Sequence, residues 1–447
     1  MSNILKAKKG YKLVKDLFGK EIEIPLEWNQ VNLDEIVKDG KFSIVDGPFG
    51  TQLHSSEYVD KGIPVIRVFD IKKNGSFSSD DLVYITEKKF SDLIRSAIYP
   101  GDILLAKTGA TIGKVCIFPK DIEKGLLASS VAKISLDLKK CDNKFGFYYL
   151  YSERGQKQIL RNATGSTRLS INLTPIGKVK IILPTFKEQQ KISSILSNLD
   201  NMISNNQEII EHTIKFKKGL IQSLLTKGIN HTKFKKIKWI FGKEIEIPET
   251  WKYEIVKKGC EKLSVGFVGT CDPFYTNDNG IPMLRTTNIK EGKIDLSNLK
   301  YVTKEFHEKN KKSQVKENDL LISRHGENGE ACLAKGLDEA NCLNIVILKP
   351  KPKEFIPEFF EIAFNSAIVR NQIRRTTAGA VQGVVNTSEI GKVKIVIPPL
   401  KEQRKISSII LNVETQIQKE IEHKSYLENL KKGLMQNLLT GKIRVKV

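Results

Sequence analysis

Residues 176–196 read IGKVKIILPTFKEQQKISSIL, and residues 390–410 read IGKVKIVIPPLKEQRKISSII. Fifteen of the 21 positions match, at an offset of 214. At the same offset KKGLIQSLLTKGI (217–229) returns as KKGLMQNLLTGKI (431–443). Further out, FGKEIEIPLEW (18–28) recurs as FGKEIEIPETW (241–251), with nine of 11 positions matching at an offset of 223. Between these anchors the match is weak. IPVIRVFDIKKNG (63–75) faces IPMLRTTNIKEGK (281–293), and GDILLAKTG (101–109) faces NDLLISRHG (318–326). Two shared regions thus flank a variable stretch, and the pattern occurs twice. Trp28 to Pro184 spans 156 residues and Trp251 to Pro398 spans 147. A repeat this long is a duplicated domain, not a solenoid unit.

After each proline the shared region predicts a long helix. Ile192, Ile195, Leu199, Met202 and Ile203 recur at spacings of three and four. Ile210, Ile214, Leu220, Ile221 and Leu224 continue the stripe after a polar break at Asn205–Asn206. In the second copy Ile406, Ile409, Ile410, Val413, Ile417 and Ile421 lead into Leu427, Leu430, Leu434 and Leu438. A narrow seam with a polar back marks a coiled-coil partner rather than a buried helix. Pro184 and Pro398–Pro399 stand where proline opens a helix or ends a strand. Each helix spans roughly 40 residues, or about 60 Å at 1.5 Å per residue. Neither is stable alone with such a seam exposed, so the economical solution is that the two seams bury each other.

The variable units read as short strands between turns: IPVIRV (63–68), GDILLAK (101–107), GKVCIF (113–118), SVAKISL (130–136) and VKIIL (179–183). One helix per unit is expected, over 144–161 and 356–375, each with a basic last turn that complements its dipole. The fold class is α+β. Four segments follow: strand-rich domains at 1–185 and 230–399, and long helices at 186–229 and 400–447.

The 447 residues give ample material for more than one core. Lys plus Arg number 73 against 51 Asp plus Glu, a net charge of +22, which points to a polyanionic partner, most often nucleic acid. The start, MSNILKAKKGYK, has no apolar h-region, and the longest apolar runs fall far short of a membrane span. The six cysteines form no C-x-x-C pair, which fits reduced thiols and a cytoplasmic location.

Catalytic patterns are missing. Gly109-Ala-Thr-Ile-Gly113-Lys114-Val115 is one residue short of a phosphate loop and reads as a turn between strands. Asp272-Pro273-Phe274-Tyr275 lacks the second proline of an adenine methyltransferase tetrapeptide and reads as a loop. Acidic-x-Lys triplets such as Asp70-Ile-Lys72 arise by chance in so charged a chain. The six histidines show no metal-ligand spacing, and there is no G-x-S-x-G elbow. The reading is a chain with no active site, metal or cofactor of its own.

What remains is charge. Segment 215–243 carries nine lysines and no acid, as a solvated linker or as a phosphate contact. More pointed are basic and polar residues in loops after strands. The first unit offers Arg67, then Lys107, Thr108 and Thr111, then Arg161 and Arg168. The second offers Arg285, then Arg324, His325 and Asn328, then Arg374, Arg375 and Gln382. These residue types read base edges, and loops on rigid strands are where reading heads sit. Any single one is more often a phosphate contact or a solvated side chain than a base reader.

Taken together, these residues resemble the specificity subunit of type I restriction–modification enzymes. The resemblance rests on Pro184-Thr-Phe-Lys-Glu-Gln-Gln-Lys-Ile192 and Pro398-Pro-Leu-Lys-Glu-Gln-Arg-Lys-Ile406, each opening a helix that ends in KKGL-x-Q-x-LLT. Asp46-Gly-Pro-Phe-Gly50, Gly62-Ile-Pro-Val-Ile-Arg67, Gly101-Asp-Ile-Leu-Leu105 and Cys342-Leu-Asn-Ile-Val-Ile347 resemble that family's target-recognition domains. The second unit departs from it, with Val265-Gly-Phe-Val-Gly269 in place of the Gly-Pro-Phe-Gly string. The resemblance implies two recognition domains reading a bipartite, asymmetric site in double-stranded DNA. It implies two helices pairing antiparallel, in a pseudo-twofold repeat, to set the unread spacer. It also implies two modification subunits carrying S-adenosylmethionine, and two restriction (motor–nuclease) subunits using ATP and Mg²⁺. Two other classes remain open: a self-contained methyltransferase or nuclease, and a coiled-coil adaptor without sequence preference.

Overall fold

The computed structural model describes residues 7–16, 19–165, 169–239, 244–277, 279–290, 292–324, 331–377 and 386–447. The chain forms two compact units, Met1–Gln207 with Glu422–Val447, and Glu208–Ile421. The central helix runs Phe186–Lys227 and the C-terminal helix Leu400–Leu438, 42 and 39 residues. Each unit therefore owns one variable stretch and opposite ends of the two helices.

In the first unit a hairpin pairs Tyr11–Lys15 with Glu21–Pro25. Strand Asn29–Asn32 then pairs antiparallel with Lys180–Leu183, tying the two ends of the variable stretch together. Inside lie two four-stranded sheets. One is ordered Ile44–Asp46, Val131–Ile134, Ile103–Ala106, Val115–Ile117. The other is Val83–Ile85, Ile63–Ile66, Gly125–Leu127, Ala97–Ile98, with one parallel pair, Ile63–Ile66 against Gly125–Leu127. The second unit repeats this plan. Its hairpin is Phe234–Lys238 with Glu244–Pro248, its tie Lys252–Ile255 with Lys394–Ile397. Its four-stranded sheet runs Cys260–Val265, Ile345–Pro350, Leu320–Ser323, Ala331–Leu333, beside a five-stranded one.

The sequence repeat corresponds to repeated bonds. Trp28, fully buried, donates Nε1–H to Glu188 Oε2 at 2.9 Å, and Trp251 does the same to Glu402 Oε2 at 2.9 Å. Gln189 caps the Pro184 carbonyl (3.0 Å) and accepts from Asp142 N–H (2.9 Å). Gln403 caps the Pro398 carbonyl (2.8 Å) and accepts from Ile356 N–H (3.0 Å). The Lys-Glu-Gln triplets thus fasten each long helix to its own α+β domain. Gln158 makes both peptide-like bonds to Lys180, and Gln372 to Lys394, at the same offset of 214 as the anchors.

Within each unit the helices pair antiparallel. In the first unit Glu188, Asp200 and Gln207 meet Arg444, Lys431 and Lys424. In the second, Lys217 meets Glu414, while His231, past the helix end, meets Glu402. The seams bury Ile192, Leu196 and Leu438 in one core, and Leu224, Leu225, Ile406 and Ile410 in the other. The expected seam is covered only in part: Leu199, Ile210 and Leu427 are buried, whereas Met202, Ile214, Ile421 and Leu430 are exposed. Periodicity marks a face, but only the ends of these helices meet a domain core.

Two expectations need correction. The single helix expected in each unit is broken into two, and short helices stand beside it, Glu87–Asp92 and Leu173–Gly177 in the first unit, Lys304–Lys309 and Thr387–Lys392 in the second. Asn143–Tyr151 and Glu153–Arg161 break at Ser152; Pro357–Asn365 and Ala367–Thr377 break at Ser366. Each serine is extended (ψ 157 and 152) and caps the following helix, accepting from Gly155 N–H and Val369 N–H. Segment 215–243 is not a linker where it is described. It supplies the end of the central helix and the hairpin strand Phe234–Lys238.

Among the described residues no helix is long and apolar enough to cross a membrane. All six cysteines are free and buried. Burial pushes the Cys116, Cys141 and Cys260 thiols up to about 12, which makes them packing groups rather than nucleophiles.

Candidate nucleic-acid interface

Strand direction decides which loops meet. In the antiparallel sheet of the first unit, Asp46 and Ala106 end their strands while Val131 and Val115 begin theirs. The segments after Asp46, before Val131, and from Lys107 to Lys114 therefore leave the sheet at one end. Ala128 N–H donates to Ile66 O (2.9 Å), which brings Arg67 to the same edge. Gly109 N–H donates to Leu169 O (2.7 Å), and Thr108 bridges Ser170, which in turn bridges Thr164. The structure thus gathers Arg67, Lys107, Thr108 and Thr111 with the segment that follows Arg161.

The second unit builds the same edge. Gly266 N–H donates to Ile345 O (2.7 Å), Arg285 pairs with Leu343, and Arg324 directly follows Leu320–Ser323. Arg374 and Arg375 are exposed in the last turn of Ala367–Thr377, and Arg161 is exposed at the end of Glu153–Arg161. Arg168, His325, Asn328 and Gln382 lie outside the described residues.

The gathered residues differ in what they can offer a ligand. Lys107 is buried, its Nζ 2.7 Å from Asp46 Oδ2, and Arg95 holds the other oxygen at 3.2 Å. One carboxylate between two cations leaves this cluster with one positive charge in excess, and the guanidinium of Arg95 is half exposed. Arg67 donates to the Asp81 carbonyl and faces Asp70 at 3.6 Å. Burial raises the Asp70 carboxyl above its usual value, against the opposing bond from Arg67 N–H. Arg285 likewise donates to Asn298 O (2.8 Å). Each of these arginines staples a loop lying 13 or 14 residues further along the chain. Thr111 Oγ1 closes its own turn on Thr108 O at 3.0 Å. Most outward are Arg161, Arg374 and Arg375, with Arg324 half-buried.

Residue types alone missed Arg95 and Asp46, which lie 49 positions apart and meet only because the sheet folds. They also missed Gly47. A Cβ there would lie 2.2 Å from Ala128 O, and one at Gly266 would lie 2.4 Å from Cys342 O. The glycines let both loops cross the strand start at contact distance. The Asp46-Gly-Pro-Phe-Gly string held that signal.

No group of three or more His, Cys, Asp or Glu capable of holding a metal occurs among the described residues. The segment Gly109–Thr111 is a single turn of 3₁₀ helix between strands, as its sequence suggested.

Comparison with known proteins agrees with this architecture. The type I restriction modification DNA specificity domain matches residues 25–214 and 268–427. A Methanocaldococcus jannaschii protein named as the type I restriction enzyme MjaX specificity subunit is 30% identical over 446 residues, covering 95% of each chain. The type I restriction enzyme EcoBI specificity subunit of Escherichia coli is 23% identical over 85% of this chain and 77% of its own. The crystal structure of the type I restriction–modification S subunit from M. genitalium shares the fold. Its TM-score is 0.53 at 15% identity, over 92% of this chain and 96% of that one. With both halves matched by the same domain, the chain belongs to the type I restriction–modification specificity subunit family.

Proposed function

We propose that this chain is the noncatalytic DNA-reading subunit of its complex, with residues 1–185 and 230–399 each recognising one half of a bipartite, asymmetric DNA site. The observation that carries the reading is the duplicated loop edge. The same strand ends in both units bring together glycine-locked loops and basic side chains, while the loop sequences diverge. Divergent loops on a shared scaffold suit different half-sites, so the target is not a palindrome. Linking two readers in one chain raises the effective concentration for the second contact.

In this reading the long helices fix the unread spacer. Two modification subunits bring S-adenosylmethionine and adenine-N6 chemistry, and two motor–nuclease subunits bring ATP and Mg²⁺. Arg161, Arg324, Arg374 and Arg375 reach the DNA, along with Arg168, His325, Asn328 and Gln382. Lys107, Arg67 and Arg285 hold the loops and contribute charge. Thr108 and Thr111 shape the turn between them. Footprinting of the purified complex tests this: two separated protected patches support it, and continuous or sequence-indifferent protection contradicts it. Arg324→Ala should alter only one half of the recognised sequence. Equal loss at both halves with an unchanged base profile would make Arg324 a general phosphate contact.

A further inference from the structure

We infer that Phe49 and Val268 are apolar base-contacting tips of the two recognition edges, an inference that rests on the DNA reading proposed above. The two residues occupy matching places. Each lies two positions after its locked glycine, Gly47 or Gly266. Gly47 N–H donates to Val131 O (3.2 Å) and Gly266 N–H to Ile345 O (2.7 Å), the first residue of the equivalent strand. Both side chains are 62% exposed, although one is aromatic and the other branched aliphatic.

A scattered exposed hydrophobe needs no explanation. A pair at the same place on two diverged loops does. Neither side chain gains much burial in its own domain, so folding alone does not account for an apolar residue there. The backbone behind Phe49 is fixed: its N–H donates to Gln52 Oε1 (3.2 Å), and Gln52 N–H donates to Phe49 O (2.8 Å). Asp46, three positions before Phe49, is ion-paired with Arg95, whose half-exposed guanidinium supplies positive charge at the base of that loop. An exposed apolar tip on a loop that starts beside a cation, as at Phe49, suits a groove, where phosphates flank base surfaces. Phenylalanine can pack on a thymine methyl or wedge into a base step, and valine can only pack. The difference in side chain gives the two halves different preferences at that base.

The test uses the full complex and a duplex carrying the sequence mapped from its own methylated adenines. Phe49→Ala should weaken specific binding about tenfold to a hundredfold. It should leave the dependence of log K on log salt unchanged, because no phosphate contact is lost. Its Tm should stay at the wild-type value, and its methylation map should relax at one half only. Val268→Ala should give a smaller loss confined to the other half. Replacing thymines by uracil one at a time separates the two modes for Phe49. Loss at a single position marks methyl packing, and no loss with retained Phe49 dependence marks a wedge. Wild-type affinity in Phe49→Ala, a changed salt slope, or a fall in Tm with an unaltered map would each overturn the inference. A wild-type complex that fails to prefer its mapped duplex over an unrelated one would instead sink the DNA reading itself.

Discussion

Replacing Glu188 by alanine tests whether the Lys-Glu-Gln triplet is the fastener between helix and domain. Glu188 is completely buried and accepts from Trp28 Nε1 (2.9 Å), Thr185 Oγ1 (2.8 Å) and Arg444 Nε (2.9 Å). The alanine variant leaves the buried Trp28 N–H without an acceptor, at about 1–3 kcal/mol. Loss of the Arg444 pair adds about 0–1 kcal/mol, because the Arg444 side chain is 39% exposed and screened. The expected total is about 1–4 kcal/mol. Glu188→Gln keeps an oxygen for Trp28 and should cost roughly half as much. Urea unfolding of the full chain measures both. A cycle with Trp28→Phe isolates the pair, and its coupling energy should be about 1–2 kcal/mol.

The pH dependence has a definite sign. Burial raises the Glu188 carboxyl, but the bonds from Thr185, Arg444 and Trp28 outweigh it and hold the carboxyl below its usual value. A depressed folded-state value means the stabilisation is full above the ordinary carboxylate range. It is lost as pH falls through the folded value. The gap between wild type and Glu188→Gln should therefore close in acid. Zero coupling with Trp28→Phe, or a gap that widens as pH falls, would refute the reasoning.

Three further outcomes follow from the same geometry. Gly47→Ala forces a Cβ to 2.2 Å from a backbone carbonyl, so it should cost about 1–3 kcal/mol and weaken one half-site, as read by Tm and by binding. Asp46→Ala leaves the buried Lys107 ammonium unpaired and should destabilise the first unit by about 3–5 kcal/mol. The double variant Asp46→Ala with Lys107→Met should recover much of that loss in thermal unfolding. Deleting seven residues at matched places in both long helices removes about 10 Å while keeping the seam nearly in phase. The spacer in the methylated sequence should shorten by about three base pairs, with both half-sites intact.

The parts of this fold that were legible in sequence are those written locally. Ile192, Leu196 and Leu199 recur at helical spacing, and both long helices begin where that pattern puts them, although the second ends at Leu438 rather than running to residue 447. The breaks at Ser152 and Ser366 were not legible, because the apolar period runs straight through each cap. The exposed Met202 and Ile421 were missed because a stripe states which face is apolar, not whether anything covers it. The loop edge was half legible. Loops after strands could be named from glycines and cations. That Lys107 is buried on Asp46, 61 residues away, depends on a strand order no local pattern contains. The bonds of Gln158 and Gln372 could have been suspected, since both glutamines keep the anchor offset of 214.

The most direct test exchanges one reader. Residues 29–183 replaced by the corresponding variable stretch of a relative, in a complex with its partner subunits, should methylate a hybrid sequence. One half-site would change, while the other half and the spacer length stay the same. A map in which both halves change, or neither does, would contradict the assignment of one half-site to each unit.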